Sequence, residues 1–157
     1  YNKDFDPVFS FYLSNDVNVP GKMIFGGADY KTYSKKGLGE KDVFWSKQSK
    51  NKMYWAVNSN DALYGQDTKL ADKPQQLILD NGMSFAMAPK PSFTKLVTSL
   101  FKQNGILCFQ MQPVWGCQCT EEKYNKLPDL NFNFVGMSDS STKFLQMPKE
   151  AYMMHKK

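Results

Sequence analysis

The stretch Ile78-Leu79-Asp80-Asn81-Gly82-Met83-Ser84-Phe85 decides the fold prediction for this 157-residue chain. An apolar run from Leu77 to Leu79 is typical of a short buried strand, and it stops at Asp80. Asn81-Gly82 readily takes positive φ in a tight turn, and a second apolar run covers Phe85 to Ala88. A carboxylate between two buried strands is costly unless it is used or satisfied. Taken alone, the pattern favours a hairpin turn whose backbone satisfies Asp80.

Six further segments lie in order around this stretch and change that interpretation. They are Pro7 to Ser14 (PVFSFYLS), Gly21 to Asp29 (GKMIFGGAD), Met53 to Val57 (MYWAV), Pro89, Leu127 to Phe132 (LPDLNF) and Pro148 to Tyr152 (PKEAY). In this order the segments resemble the second, C-terminal lobe of pepsin-like, cathepsin D-like eukaryotic aspartic proteases. The segment from Ile78 to Ser84 resembles that family's second active-site turn, apolar-apolar-Asp-Thr/Ser-Gly-Thr/Ser-Ser. Several ordered motifs over nearly the whole chain are far more specific than one Asp-x-Gly.

The resemblance implies a mostly β fold, a pepsin-like acid protease lobe with antiparallel sheets and one substantial helix. It also implies that residues 1–157 form a single domain, most of a C-terminal lobe without the first lobe and without the closing strands. A lobe lacking those strands would expose apolar surface and open strand edges. We therefore expect the missing pieces to come from another chain of the same precursor or from the rest of a longer sequence.

The resemblance further implies an aspartic endopeptidase in which this chain supplies one catalytic Asp and half of the substrate cleft. Two carboxylates share one proton in such an enzyme, because neighbouring like charges cannot both ionise. No second Asp-x-Gly with apolar flanks occurs here, so the partner is a first-lobe chain or segment and the substrate a polypeptide. The implied catalytic residues are Asp80 and Gly82, and the implied substrate-binding residues are Ile78, Asn81, Met83 and Ser84.

Two positions of the turn depart from the family pattern. Asn81 stands where the family has a hydroxyl residue, and Met83 stands where a Thr or Ser donates to the aspartate. A thioether donates no hydrogen bond, and a lost bond to a charged group costs about 1.5–3 kcal/mol. A catalytically inactive pepsin-like protein, serving as a binding or structural subunit, is therefore the alternative hypothesis.

Three cysteines lie close together at positions 108, 117 and 119. The resemblance implies a disulfide in this region, and it favours Cys108–Cys119, with Cys108–Cys117 as the second choice. The odd cysteine is then a buried free thiol or a link to another chain. A disulfide indicates the secretory pathway, with a lysosomal, vacuolar or extracellular destination.

Composition makes other function classes improbable. The formal charge of +5 comes from scattered lysines, typical of a solvated surface rather than a nucleic-acid footprint. No apolar run approaches the ~20 residues that span a bilayer. Cys-x-Cys lacks the second pair of a zinc site, and His155 is too isolated to complete one. We expect no metal, no cofactor, no nucleic acid and no membrane as partners.

Local patterns predict the secondary structure. Ser92 to Gln103 has apolar residues at helical spacing, with Ser92 as its cap and Asn104-Gly105 at its end. Tyr30 to Asp42 is predicted to be a surface loop. The predicted strands cover residues 8–13, 23–25, 43–45, 52–63 (bent at 58–61), 75–80, 106–111, 114–119, 130–135 and 143–147, with hairpin turns at Gln112-Pro113 and at 136–141.

Overall fold

The computed structural model describes residues 6–14, 16–50, 53–112, 114–138 and 141–154. It divides into two compact units, residues 1–44 and residues 45–157. Pro113, predicted in a hairpin turn, and His155, judged too isolated for a metal site, lie outside the described residues. The single domain over 1–157 stays a prediction.

The first unit is built on one antiparallel hairpin. Strand β1 (Phe9–Tyr12) pairs with β2 (Lys22–Phe25). The predicted surface loop that follows was wrong in part, because it contains helix α1 (Tyr30–Tyr33) and a 3-10 turn (Glu40–Asp42). The carboxylate of Asp29 caps α1 by accepting the N–H of Thr32 at 3.0 Å. Hydrogen bonding from the Thr32 side chain, and secondly from this backbone N–H, lowers the pKa of Asp29.

The second unit holds most of the secondary structure. Its elements are β3 (Ala56–Tyr64), β4 (Thr68–Lys69), β5 (Gln75–Ile78), α2 (Lys90–Asn104), β6 (Leu107–Met111), β7 (Val114–Gln118), α3 (Glu121–Asn125), β8 (Leu130–Val135), β9 (Thr142–Met147) and α4 (Lys149–Tyr152). Its main sheet is antiparallel throughout, in the order β4-β3-β8-β9, with β5 also pairing with β3. The expected mostly β fold with antiparallel sheets is thereby confirmed.

Strand β3 is the centre of that sheet. Its register with β8 shifts between Ser59 and Ala62, which confirms the predicted bend. A bulge of this kind bends a strand and increases its twist. Past the bulge, β3 pairs with β4 at Leu63 and Tyr64, whereas before it β3 pairs with β5. Strand β3 therefore pairs with β5 before the bulge and with β4 after it.

A small apolar core lies beneath this sheet. Tyr64 and Ile106 are 1% and 0% exposed, and the Tyr64 hydroxyl donates to Asn104 Oδ1. The other buried members of the cluster are Ala62, Leu70, Ala71, Leu100, Leu127 and Leu130. Helix α2 contributes Leu100, and the sheet contributes Ala62, Tyr64 and Leu130. The core thus joins the one long helix to the sheet.

Helix α2 differs from its prediction at one end only. It starts at Lys90, two residues early, with Pro89 at the cap position and without a side-chain cap from Ser92. Proline suits the first turn of a helix, because the N–H it lacks would have no partner there. Gly105 ends the helix in the left-handed conformation, with φ 62°, as predicted.

Two local predictions were wrong, and one helix was not predicted. Residues 43–45 form no strand, although isolated bridges follow at Ser46 and Gln48. The apolar run from Phe85 to Ala88 is exposed and outside any strand, so Asp80 does not lie between two buried strands. Helix α3 was not predicted, although Thr120 caps it and Glu121-Glu122 occupy its first turn. The helix has only five residues, and a segment of that length is too short to show the helical periodicity of apolar residues.

Candidate active site

The Asp80 turn is attached to the end of a paired strand. Strand β5 runs antiparallel to β3, with Ile78 opposite Ala56. One residue later, the N–H of Leu79 donates to the carbonyl oxygen of Trp55 at 2.8 Å. Asp80 is thus the first residue beyond the last backbone bond to β3. Pairing of β5 with β3 therefore sets the position at which the turn begins. The conformation of the turn then sets the orientation of the carboxylate.

Within the turn, a backbone bond holds the carboxylate. The N–H of Gly82 donates to Asp80 Oδ1 at 2.8 Å. A Cβ at position 82 would lie 3.1 Å from the same oxygen, tighter than most real Cβ contacts. Gly82 does not have positive φ, and no described non-glycine residue has it either. The turn therefore needs glycine for close approach to the carboxylate, and not for the left-handed backbone that Asn81-Gly82 suggested.

The other predicted site residues lie along the same exposed segment. Every residue from Ile78 to Lys90 is exposed, Asp80 and Ser84 included. Among the described residues, neither Asn81 nor Ser84 makes a side-chain hydrogen bond, and Asp80 makes no ion pair. The six predicted site residues thus extend from the last residue of β5 through the turn that follows it, and among the described residues no second acid is paired with Asp80.

Large apolar side chains flank this carboxylate on both sides in sequence. Ile78 and Leu79 are 50% and 52% exposed before it, and Met83, Phe85 and Met87 are 49–79% exposed after it. Exposed apolar groups of this density mark surfaces that other polypeptides cover. The turn thus combines one acid with a surface suited to apolar partners.

The backbone brace at Trp55 is a site feature that sequence reasoning missed. Tyr54 and Trp55 entered the sequence prediction only as part of a family motif. In the structure, the carbonyl oxygen of Trp55 accepts from Leu79, the residue directly before Asp80. The available signal was the strand predicted over residues 52–63, which is long enough to pair with the strand predicted over residues 75–80.

The disulfide prediction needs a correction. The bond joins Cys108 to Cys117, and Cys119 is a free thiol. The register of the β6–β7 hairpin explains the choice, because Cys108 lies directly opposite Cys117 with a Cα–Cα distance of 4.0 Å. Cys119 lies beyond the end of β7. Burial raises the pKa of the Cys119 thiol, and nearby Lys123 partly offsets that effect.

Among the described residues, no group of three His, Cys, Asp or Glu side chains could hold a metal ion. Within the described ranges, no helix is long and apolar enough to cross a membrane.

Comparisons with known proteins agree on one family. A sequence model described as "Eukaryotic aspartyl protease" matches residues 5–157. Vacuolar protease A of Arthroderma otae is 32% identical over 136 residues, covering 83% of this chain and 29% of that protein. Gastricsin of Suncus murinus is 34% identical over 93 residues, covering 57% and 22%. Pepsin A of Gallus gallus is 24% identical over 150 residues, covering 94% and 34%. The matches therefore span only a fifth to a third of each of these relatives.

Proposed function

The chain belongs to the eukaryotic aspartyl protease family, and from that premise we propose that it supplies one half of an aspartic endopeptidase active site. In this proposal Asp80 is one of two catalytic carboxylates. The residues around it form one wall of the substrate cleft. The bond from the Gly82 N–H to Asp80 Oδ1 at 2.8 Å is the observation that carries the proposal.

That bond is important because the catalytic reaction requires a carboxylate in a fixed orientation. A dyad splits its work between a base that activates water and an acid that protonates the substrate carbonyl. The base must be held in one orientation toward the water. A charge-assisted bond from a backbone N–H fixes one carboxylate oxygen and leaves the other free. Asp80 has such an arrangement, with Oδ1 held by the turn.

The second carboxylate belongs, in this proposal, to a first-lobe segment facing the Asp80 turn. The exposed apolar residues on both sides of Asp80 support this arrangement, because a facing lobe and a bound polypeptide would cover them. Ile78 and Met83 would then contact substrate side chains. Asn81 and Ser84, with no internal side-chain partner among the described residues, could bond to the facing lobe or to substrate backbone.

The composition of the turn favours a second candidate, a family member without catalytic activity. Met83 supplies no hydroxyl to the carboxylate, and Asn81 replaces a short hydroxyl with a longer amide. A missing bond of about 1.5–3 kcal/mol, if it acts on the transition state, lowers the rate roughly 10- to 100-fold. Such a protein would bind polypeptides in the same cleft without cutting them.

Peptide cleavage at pH 3–5 by the full-length gene product distinguishes the two candidates. The enzyme proposal expects cleavage that a transition-state-mimicking inhibitor blocks and that Asp80→Asn abolishes. Asp67→Asn is the matched control, because Asp67 is also an exposed turn carboxylate on this unit. Cleavage that survives Asp80→Asn unchanged would refute the role of Asp80. Peptide binding without cleavage in the wild type would favour the inactive candidate.

A location in the secretory pathway accompanies this proposal. The Cys108–Cys117 disulfide fits an oxidising compartment. One relative is named as a vacuolar protease, which suggests a vacuolar or lysosomal destination within that pathway. Fractionation of the source cells, with a vacuolar marker as reference, tests the assignment.

A further inference from the structure

A groove of about 360 Å³ opens on the second unit, and Asp80 is not among the residues that line it. It lies at the ends of strands β3, β8 and β9. Besides Gly65, three of its lining residues are apolar or aromatic and four are polar. Those used below are Leu63, Gln66, Asp129, Asn131, Phe144 and Gln146. Its volume falls within the range of small-ligand sites.

Strand register places the groove on the face of the sheet opposite the core. Leu63 of β3 lies opposite Asn131 of β8, and Asn131 lies opposite Gln146 of β9. Directly opposed residues share a face, and neighbours along a strand alternate faces. Ala62 and Leu130, one position away, belong to the buried core. The row through Asn131 therefore faces outward.

Two acceptor groups of the groove, on Asn131 and Asp129, receive no hydrogen bond or ion pair from the described residues. The amide nitrogen of Asn131 donates to the Gly65 carbonyl oxygen at 2.7 Å, which leaves Asn131 Oδ1 free to accept. Asp129 is half-buried, and within the described part of the chain it has no ion-pair partner. Both groups line the groove and can accept a hydrogen bond from a cationic donor.

No lysine lines the groove to balance that arrangement. The lysine nearest in register is Lys69, which lies opposite Leu63 on β4. Its ammonium is already paired with the Asp61 carboxylate at 3.1 Å. The groove thus has a negative charge, free acceptors and no cation of its own.

We infer that this groove binds the side chain of a lysine presented by a polypeptide. The ammonium group carries three N–H donors, which match the carboxylate of Asp129 and the free oxygen of Asn131. The four-carbon stem would lie along Leu63 and Phe144, since lysine buries its stem on apolar surface while its head stays polar. The amides of Gln66 and Gln146 at the rim can bond to the backbone of the bound segment. The inference goes beyond the proposed function and does not depend on it.

Saturation-transfer NMR on the full-length gene product tests the inference, because ligand-detected signals report weak binding to large proteins. The probe is Nα-acetyl-lysine N-methylamide, and its neutral analogue is Nα-acetyl-norleucine N-methylamide. We expect the lysine probe alone to receive saturation, and added salt to weaken it, as for a partly exposed ion pair. Asp129→Asn should weaken its binding about tenfold or more, whereas Glu121→Gln, an equal change of charge at an exposed residue of helix α3 outside the groove lining, should leave it unchanged.

Other outcomes overturn the inference. Equal saturation of the norleucine probe would show apolar binding only, and preferential saturation of methyl glucoside would assign the groove to a hydroxyl-rich ligand. Retained lysine binding in Asp129→Asn, with an unchanged circular dichroism spectrum, would remove the carboxylate from the site. Asp80→Asn separates this test from the proposed function, since it should abolish cleavage and leave binding of the lysine probe intact.

Discussion

At the scale of single residues, the Asp80 turn is defined by one bond that is present and one donor that is absent. The N–H of Gly82 donates to the carboxylate, whereas the side chain of Met83 has no donor to offer it. Of the two positions that depart from the family pattern, Asn81 and Met83, the second can be tested by a substitution that leaves the acid itself unchanged.

Met83→Ser tests that deficit. The new hydroxyl can donate to the Asp80 carboxylate, and a charge-assisted bond of about 1.5–3 kcal/mol corresponds to a 10- to 100-fold gain in kcat/KM. Peptide cleavage by the full-length protein is the measurement. Met87→Ser is the matched control, because Met87 is exposed in the same segment but is not next to the turn glycine. An equal gain in both variants would assign the effect to solubility.

Tyr64 gives a prediction in the alkaline range. Burial, followed by the charge of Cys119, raises the pKa of Tyr64 from 10.0 to about 12. The folded state therefore keeps a proton that the unfolded state loses, so the contribution of this group to stability is complete below pH 10 and is lost as pH rises toward 12. Urea unfolding between pH 8 and pH 11 should show this decline, with the thiol of Cys119 blocked to prevent exchange.

Tyr64→Phe isolates that contribution. At pH 8 the variant should be less stable by about 1–2 kcal/mol, because Asn104 loses its hydroxyl donor. At pH 11 the difference from the wild type should shrink, since phenylalanine does not titrate. A difference that stays constant across this range would contradict the assignment. The pKa of Tyr152 is also raised, by burial first and by the charge of Tyr64 second, so Tyr152→Phe in both proteins removes its contribution from the comparison.

At the scale of elements, the β6–β7 hairpin decides how the cysteines pair. Antiparallel register sets Cys108 against Cys117, and the sequence separation of 9 residues corresponds to about 2–3 kcal/mol of stabilisation. Cys117→Ser should therefore cost about that much in urea unfolding, whereas Cys119→Ser should leave the disulfide intact. Mass mapping of non-reduced peptides reports the bond directly. A Cys119→Ser protein with two free thiols would overturn the pairing.

The end of α2 supplies a second element-scale prediction. Gly105 has φ 62° and donates its N–H to the carbonyl oxygens of Leu100 and Phe101. Alanine pays about 1–2 kcal/mol in that conformation, while asparagine tolerates it better. Gly105→Ala should lower the free energy of unfolding by more than Gly105→Asn does. The reverse order would mean that contact with Lys123, whose Nζ lies 3.3 Å from an added Cβ, dominates instead.

The elements also show what sequence could and could not predict. The C-terminus of α2 was predictable because a glycine at a helix end is favoured by the left-handed conformation that ends the helix. Its start was not, because Pro89 and Ser92 both suit a helix N-terminus and only packing chooses between them. The disulfide was mispredicted because the family resemblance indicates only the region in which a disulfide lies. Which two cysteines bond depends on the strand register, which the sequence alone did not give. Asp80 and Gly82 were predictable as a bonded pair, since local geometry fixes that contact. The exposure of residues 85–88 was not, because apolar content alone does not say which element covers a segment.

At the scale of the whole molecule, exposed apolar side chains outnumber buried ones within the described ranges. Ile78, Leu79, Phe85 and Met87 are each at least half exposed near the Asp80 turn, and Phe109 and Met111 are 47% and 53% exposed on the β6–β7 hairpin. The latter two lie on one face of a two-stranded sheet, since Phe109 and Met111 are two positions apart on β6. Surfaces of this kind associate in water unless another polypeptide covers them.

Residues 1–157 expressed alone should consequently self-associate. The driving force is apolar surface, so association should increase with temperature and bind a hydrophobic dye such as ANS, rather than weaken with added salt as charge-driven association does. Size-exclusion chromatography with light scattering measures it. Phe85→Ser with Met87→Ser should reduce association, while Lys90→Ser with Lys102→Ser, exposed on α2, should not. A monodisperse wild-type chain that melts cooperatively would contradict this prediction. The proposed lobe facing Asp80 would then lose the support of the exposed apolar residues around that turn.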